Sequence, residues 1–365
     1  LRDAWGLHFD LDAGYLDTAS IGVPPTSVAE ALSGAVNRWR RGRDAPQDFD
    51  AAIAQARAGF ADLIEVPVSR VAIGAAVSAL VGLLAASIPD RSRVLIASGE
   101  FTSLSWPFAA QADRGVVIAE VSRDRLADRA HEHDLVAVSA VASADGALVD
   151  LAALAEATAG TNTRVLIDVT QAAGWLPLSL GWADAVVGAS YKWLLAPRGA
   201  AWLALSDSWR DEVIPHHACW MGGKDPWASI YGLPWTPAAD ARALDESPAW
   251  WAHLGAAEAF RATAGLNKAD IHTHVTALAD KLRAALDMAP AHSAIVAVRH
   301  SGAAQALAHA GIRAANRDGA TRLSFHLYNT DNDLDRATEA LSRLHKKHPP
   351  RTSLPGSAPN RNERP

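Results

Sequence analysis

The run Val165–Gly199, VLIDVTQAAGWLPLSLGWADAVVGASYKWLLAPRG, concentrates residues that can do chemistry. An apolar stretch ends in an acid, Asp168, with Gln171 three residues later. A second apolar stretch leads into Ser190-Tyr191-Lys192-Trp193 and then Pro197-Arg198-Gly199. Ligand crevices of doubly wound sheets lie outside the carboxyl ends of the strands, so Asp168 and Lys192 can converge on one crevice. Such a pair suits a ring that needs a protonated nitrogen and a covalent anchor. Taken singly, Asp168 reads as a helix N-cap and Lys192 as a lysine snorkelling from a loop. Their pairing reads as a site.

Pyridoxal 5'-phosphate has those two needs. It acts as an electron sink while its pyridine nitrogen stays protonated, and a carboxylate beside that nitrogen keeps it so. The anchoring lysine must be neutral to form a Schiff base, which burial and a nearby cation promote. The six lysines are Lys192, Lys224, Lys268, Lys281, Lys346 and Lys347, and Lys192 alone has an apolar, strand-adjacent setting.

The elements that would position this pair alternate along the chain. Short β-branched runs (Val94–Ala97, Val116–Val121, Leu135–Val141, Val165–Val169, Ala185–Gly188) are separated by Ala-rich stretches of helical length, which predicts a parallel or mixed sheet covered on both faces. Asp150 is placed to N-cap a short helix ending at Thr158. From Pro248 the pattern predicts helices over Trp250–Gly265 and Lys268–Asp287, then a strand (Ala294–Val298), a helix (Gly302–Ala310), a strand (Thr321–His326) and a closing helix (Asp331–His345). These divide the α/β chain into a large domain over 15–247 and a smaller one formed by 1–14 with 248–346. The Pro-, Arg- and Ser-rich stretch 347–365 is expected to be disordered.

Composition narrows the classes. A net charge of −6 gives no electrostatic footprint for nucleic acid. The single cysteine, Cys219, excludes an intrachain disulfide framework and fits a reducing compartment. No signal-peptide pattern opens the sequence, so a cytoplasmic location is expected. Val71–Ile88 is a charge-free run at the threshold length for a membrane span, yet it lacks aromatic or basic belts and reads as a buried helix. His131/His133 and His272/His274 lack a third ligand in register, so no metal site is expected.

The run from Asp168 to Gly199 resembles the class V aminotransferase branch of fold-type I pyridoxal-phosphate enzymes. That branch includes kynureninases, isopenicillin-N-epimerase-like proteins, cysteine desulfurases and C–S lyases. The shared pattern is an acid, Gln three residues later, then Lys followed by an aromatic, Leu and a Pro-Arg-Gly turn. Further similarity covers Tyr15-Leu16-Asp17-Thr18-Ala19-Ser20, Ile73–Ser78, Glu100-Phe101-Thr102-Ser103, Ser139–Gly146 and Thr321–Thr330. The resemblance implies a large domain with a mixed, mostly parallel sheet between helices plus a smaller C-terminal α/β domain, with pyridoxal 5'-phosphate held by Lys192. It also implies that Asp168 pairs with the pyridine nitrogen, Gln171 lies near the phenolic oxygen and Tyr191 reaches the phosphate. Gly74, Ala75 and Ala76 would form the phosphate turn, although Ala76 stands where many relatives carry a hydroxyl. Phe101, with Trp106 in reserve, would stack on the ring; Ser143 would face the cofactor's oxygen; Arg322 would bind an α-carboxylate as a bidentate fork. Trp220–Gly223 and Ala239–Arg242 echo segments that approach a partner subunit's cofactor, which implies a homodimer with shared active sites and an amino-acid substrate.

The reaction is less constrained. Persulfide-forming desulfuration needs a thiol shortly before the carboxylate-binding arginine, and Arg299–Arg322 contains no cysteine. The preferred expectation is α,β-elimination, a C–S lyase acting on a cysteine conjugate in bacterial secondary metabolism such as lincosamide-type antibiotic biosynthesis. Transamination, epimerisation and decarboxylation-linked oxidative deamination are the alternatives on this scaffold, and a non-catalytic scaffold protein is the alternative of another class. Trp220, Trp227, Trp235, Trp250 and Trp251 are candidates to line a pocket for a bulky conjugate.

Overall fold

The structure, a computed structural model, describes residues 2–347. A hairpin of β1 (Arg2–Ala4) and β2 (Leu7–Phe9) opens the chain, followed by α1 (Thr26–Trp39) and α2 (Asp50–Ile64). Alternation then begins: β3 (Val71–Gly74), α3 (Val77–Ser87), β4 (Arg93–Ala97), α4 (Thr102–Ala109), β5 (Val117–Val121), α5 (Leu126–Ala130), β6 (Leu135–Ser139), α6 (Leu151–Thr158), β7 (Arg164–Asp168), β8 (Ala185–Ala189) and β9 (Ala201–Leu205). After the short α7 (Asp207–Arg210) come α8 (Trp250–Thr263), α9 (Lys268–Ala285), β10 (Ile295–Val298), α10 (Ala303–His309), β11 (Ala315–Arg317), β12 (Ala320–Ser324) and α11 (Asp331–Lys347). The expected tail, from 348 on, lies outside the described residues.

Strands β3 to β9 form one seven-stranded sheet in the order β3-β9-β8-β7-β6-β4-β5, parallel apart from β9, which runs against both its neighbours. Apolar clusters cover both faces, one around Val138, Ile167 and Trp202, the other around Leu80, Leu84 and Leu203. The register puts Ser139 beside Asp168, and Asp168 beside Val187, so the carboxyl ends of β6, β7 and β8 meet along one edge. A second, antiparallel sheet has the order β10-β12-β11, with Arg322 in its central strand opposite Ala297 and Ala315.

Val71–Ile88 is not the single buried helix its hydropathy suggests, and it breaks where the resemblance places the phosphate turn. It breaks into β3 and α3, with Ala76 extended at φ −153°, ψ 147° between them. The run is charge-free because β3 is interior to the fold and α3 buries Leu80, Val81, Leu83 and Leu84 against the sheet and α4. Its two halves bury their side chains by different geometries, so hydropathy alone cannot part them. Among the described residues, no helix is long and apolar enough to cross a membrane.

Candidate functional site

Strand β7 delivers Asp168 to the sheet's carboxyl edge, and β8 delivers the turn Ser190–Lys192. That turn is folded back on itself: Ser190 N donates to Ala200 O at 3.1 Å, Ser190 Oγ to Pro197 O at 2.5 Å, and Leu195 N to Lys192 O at 3.2 Å. The N-terminal segment clamps it from above through Gly22 N, which donates to Tyr191 O at 2.9 Å. A Cβ on Gly22 would stand 2.0 Å from Lys192 O, so only glycine permits this approach.

Lys192 and Asp168 line one cleft of about 580 Å³ together with Ala75, Ala76, Phe101, Ser143, Gln171 and Tyr191. Burial lowers the Lys192 ammonium to about 8; the Asp168 carboxylate opposes this, while Arg322, Arg317 and Arg198 reinforce it. Burial likewise raises the Asp168 carboxyl, against hydrogen bonds from Thr170 (its N–H at 2.7 Å) and the charge of Lys192. The Lys192 Nζ lies 5.5 Å from the ring centroids of both Phe101 and Tyr191. A neutral amine is therefore within reach near physiological pH, and a carboxylate faces it in a dry setting.

Gln171 is fully engaged. Its Nε2 donates to Ala19 O and to Ser143 Oγ, both at 3.0 Å, and its Oε1 accepts from Trp193 Nε1 at 2.7 Å. Ser143 Oγ also accepts from Arg322 NH1 at 3.2 Å. With two donors already on its oxygen, the Ser143 hydroxyl can only donate its own proton onward. Arg322 is 1% exposed, and its other terminal nitrogen donates to Ser20 Oγ at 2.8 Å. Its Nε has no partner, and burial followed by the charge of Arg317 lowers it to about 10. No carboxylate pairs with Arg322 among the described residues; a buried guanidinium without an anion fits an incoming carboxylate.

At the other end of the cleft, α3 begins without a side-chain cap, so its first N–H groups are open to an anion. The Ala75 N–H differs: it donates to Glu246 Oε2 at 2.7 Å. Arg198 lines this cleft too, its guanidinium 5.3 Å from the Tyr191 ring centroid. An acid, a near-neutral amine, an aromatic wall and an uncapped helix start beside a cation together match the parts of a phosphorylated pyridine aldehyde, and the residues present fit that group.

Several expected residues stand elsewhere. Gly74 and Arg322 are not in the cleft lining, and Trp106 is 68% exposed and away from it, whereas Phe101 lines it. The tryptophans expected around a bulky substrate pack apart from the cleft. Trp250 stacks on Phe49, Trp251 meets Trp39 edge-on, and Trp220 packs on Trp227. The Trp250 and Trp251 indoles serve helix packing because α8 lies across α1 and α2, Trp227 donates its Nε1 to Asp50 Oδ2 at 2.7 Å, and Trp235 is 53% exposed outside the cleft lining. Three groups were given no role by the sequence. Glu100 is buried under the cleft, accepting from Ser139 N at 2.9 Å, and Arg198 was visible only as part of its turn. Glu246 is 171 positions from Ala75, and no local pattern announces that contact.

The class-V aminotransferase family model matches residues 15–306. Isopenicillin N epimerase of Streptomyces clavuligerus is 30% identical over 207 residues, covering 50% of this chain and 51% of that protein, about half its length. Two solved structures share the fold: the cysteine desulfurase CsdA from Escherichia coli (20% identity, 93% of this chain and 97% of that one, TM-score 0.78) and the cystine C–S lyase C-DES with cysteine persulfide (19% identity, 91% and 97%, TM-score 0.79).

Proposed function

This chain belongs to the aminotransferase class-V family, and we propose that within it the protein is a lyase that cleaves the C–S bond of an S-substituted cysteine by α,β-elimination. Its cofactor is pyridoxal 5'-phosphate, which when bound supplies an aldehyde for a lysine amine and an electron sink that acidifies the substrate α-carbon.

The chain's own residues divide the remaining work. Asp168 holds a proton at the pyridine nitrogen. Tyr191, Arg198 and the open N–H groups at the start of α3 hold the phosphate. Phe101 walls one side of the ring, and the forced donor Ser143, kept in place by Gln171, serves the phenolic oxygen. Arg322 takes the α-carboxylate in its guanidinium fork, gaining the counterion its burial lacks. Lys192 anchors the cofactor at rest; freed by the substrate amine, it takes the α-proton as general base. That proton then returns from Lys192 to the departing thiolate. The three-carbon enamine left behind is hydrolysed by one water after release, so pyruvate, ammonia and thiol are the expected products.

The observation that carries elimination is the inventory of proton and sulfur chemistry around Lys192. Among the described lining residues, Lys192 is the one amine, no histidine accompanies it, and burial keeps Tyr191 protonated. Inversion that runs in both directions by two carriers needs a second base, and with Tyr191 held as a phenol and Asp168 assigned to the ring nitrogen the described lining residues supply none. Persulfide formation needs a thiol, and Cys219 instead points its Sγ at Asp245 O, 3.4 Å away and outside the lining. C-DES, a C–S lyase by name, adds support as a neighbour in fold. Similarity to isopenicillin N epimerase favours epimerisation as the second reading. A homodimer with shared active sites belongs to the same proposal. The loop carrying Tyr231 (93% exposed) and Leu233 (90% exposed) offers apolar surface for a second copy.

Incubating the holoenzyme with a panel of S-substituted cysteines and identifying products by mass tests the reading. Pyruvate with free thiol is expected. An inverted amino acid, an aldehyde with carbon dioxide, or an oxo acid with aminated cofactor would each overturn it.

A further inference from the structure

Strand β11 is an edge of the small sheet, and Arg317 is its last residue. The register sets Ala315 opposite Arg322 and Arg317 opposite Ala320. Arg317, two positions beyond Ala315, therefore projects from the same face of that sheet as Arg322, as its diagonal neighbour. Diagonal neighbours stand roughly 7–8 Å apart, within reach of long side chains. Ala315 and Ala320, the residues opposite each, end at Cβ and put nothing between the two guanidinium groups.

Those groups meet on one oxygen. Ser20 Oγ accepts from Arg322 NH2 at 2.8 Å and faces Arg317 NH2 at 3.4 Å. With donors on its oxygen, the Ser20 hydroxyl has its own proton left to give. The other terminal nitrogen of Arg317 donates to the backbone oxygen of Asn316 at 2.7 Å. Among the described residues no carboxylate pairs with Arg317, and Asp17, the acid that acts on Arg322, has Arg313 Nε at 3.6 Å. Like charges on neighbouring strands repel, and no acid of the chain offsets that here. The charge of Arg317 is felt at Arg322 and at Lys192, where it favours the neutral forms.

The two arginines differ in access. Arg322 is 1% exposed, whereas Arg317 is exposed and stands outside the lining of the cofactor cleft, with its charge reaching Lys192. A buried guanidinium suits the part of a substrate that never varies, its α-carboxylate. An exposed one at a sheet edge has room for a part that does. An arginine serving only solubility turns its guanidinium to water; this one is held against Ser20 beside a like charge.

We propose that Arg317 is a specificity-determining residue that binds a second anionic group, a carboxylate carried by the substituent on sulfur, so that acidic cysteine conjugates are the preferred substrates. One guanidinium matches one carboxylate in charge and in its fork of donors, and Ser20 adds a hydroxyl. This specificity presupposes the S-substituted cysteine assigned above.

Titrating the holoenzyme with S-(2-carboxyethyl)cysteine and with its neutral carboxamide, which has the same size and shape, tests the assignment. The cofactor's absorbance change reads affinity, and pyruvate release is followed in the same samples. The acid is expected to bind about fivefold more tightly than the amide, the upper worth of one exposed ion pair. The chain's net charge of −6 disfavours an acidic ligand, so such a preference needs a local cation. Added salt should shrink the gap, and Arg317→Gln should bring the ratio of the two affinities to about one. Affinities within twofold of each other in the parent protein, or a preference that survives Arg317→Gln, would overturn the role of Arg317. Binding without pyruvate would sink elimination and leave the affinity ratio to decide Arg317. No absorbance change with either compound would remove the S-substituted cysteine and the role of Arg317 together. The acid–amide comparison uses the unmodified protein, so it decides the matter even where the variant does not fold.

Discussion

Replacing Lys192 by Ala is expected to lower kcat by about 10³-fold or more, because one side chain supplies both the cofactor's anchor and the general base. Base catalysis alone accounts for about 10²–10⁴-fold in typical enzymes. The loss should fall on kcat more than on KM, since Arg322 still holds the carboxylate. Added methylamine should restore part of the rate, which a misfolded protein would not allow. Steady-state turnover of an S-substituted cysteine, with and without the amine, checks this. The apo-protein's stability should move the other way. The Lys192 ammonium falls from 10.5 unfolded to about 8 folded, so between those values the unfolded chain binds more protons and stability rises with pH. Lys192→Ala should flatten that rise in a thermal-melt series across pH 7–11.

Asp168→Asn is expected to cost about 10²–10³-fold in kcat with little change in KM, the scale seen when a preorganised charge is removed from an active site. The amide keeps an oxygen for the Thr170 N–H and the same volume, so the edge of β7 should hold its shape. What it loses is the negative charge that retains a proton on the ring opposite. Burial already pushes the Asp168 carboxyl up, and the Thr170 hydrogen bonds and then the charge of Lys192 counteract that, so a cation opposite adds to what keeps the acid ionised. Turnover measured beside the melting temperature separates the two effects. A variant within threefold of the parent rate would remove Asp168 from the mechanism.

How much was legible in the sequence follows from how local each signal is. Asp168, Gln171 and Lys192 are readable because they follow strands that the register brings side by side, and β-branched runs announce those strands. The N-cap at Asp150 is equally local, its Oδ1 accepting from Ala153 N at 2.9 Å. Strand β9 escaped notice because Ala-Trp-Leu-Ala-Leu has no alternation; it is buried on both faces between β3 and β8. The unpaired burial of Arg322, the double acceptance at Ser143 and the Glu246–Ala75 contact join segments far apart in the chain. No spacing rule encodes them. The tryptophans mislead for a related reason: composition reports a ring, and only packing tells whether it faces a ligand or another helix.

The most direct measurement is borohydride reduction of the cofactor-reconstituted protein, followed by peptide mass mapping. A reduced phosphopyridoxyl group on the peptide carrying Lys192, at one group per chain, is the predicted result. The group found on another lysine, or no covalent group at all, would contradict the assignment and with it every role argued around that amine.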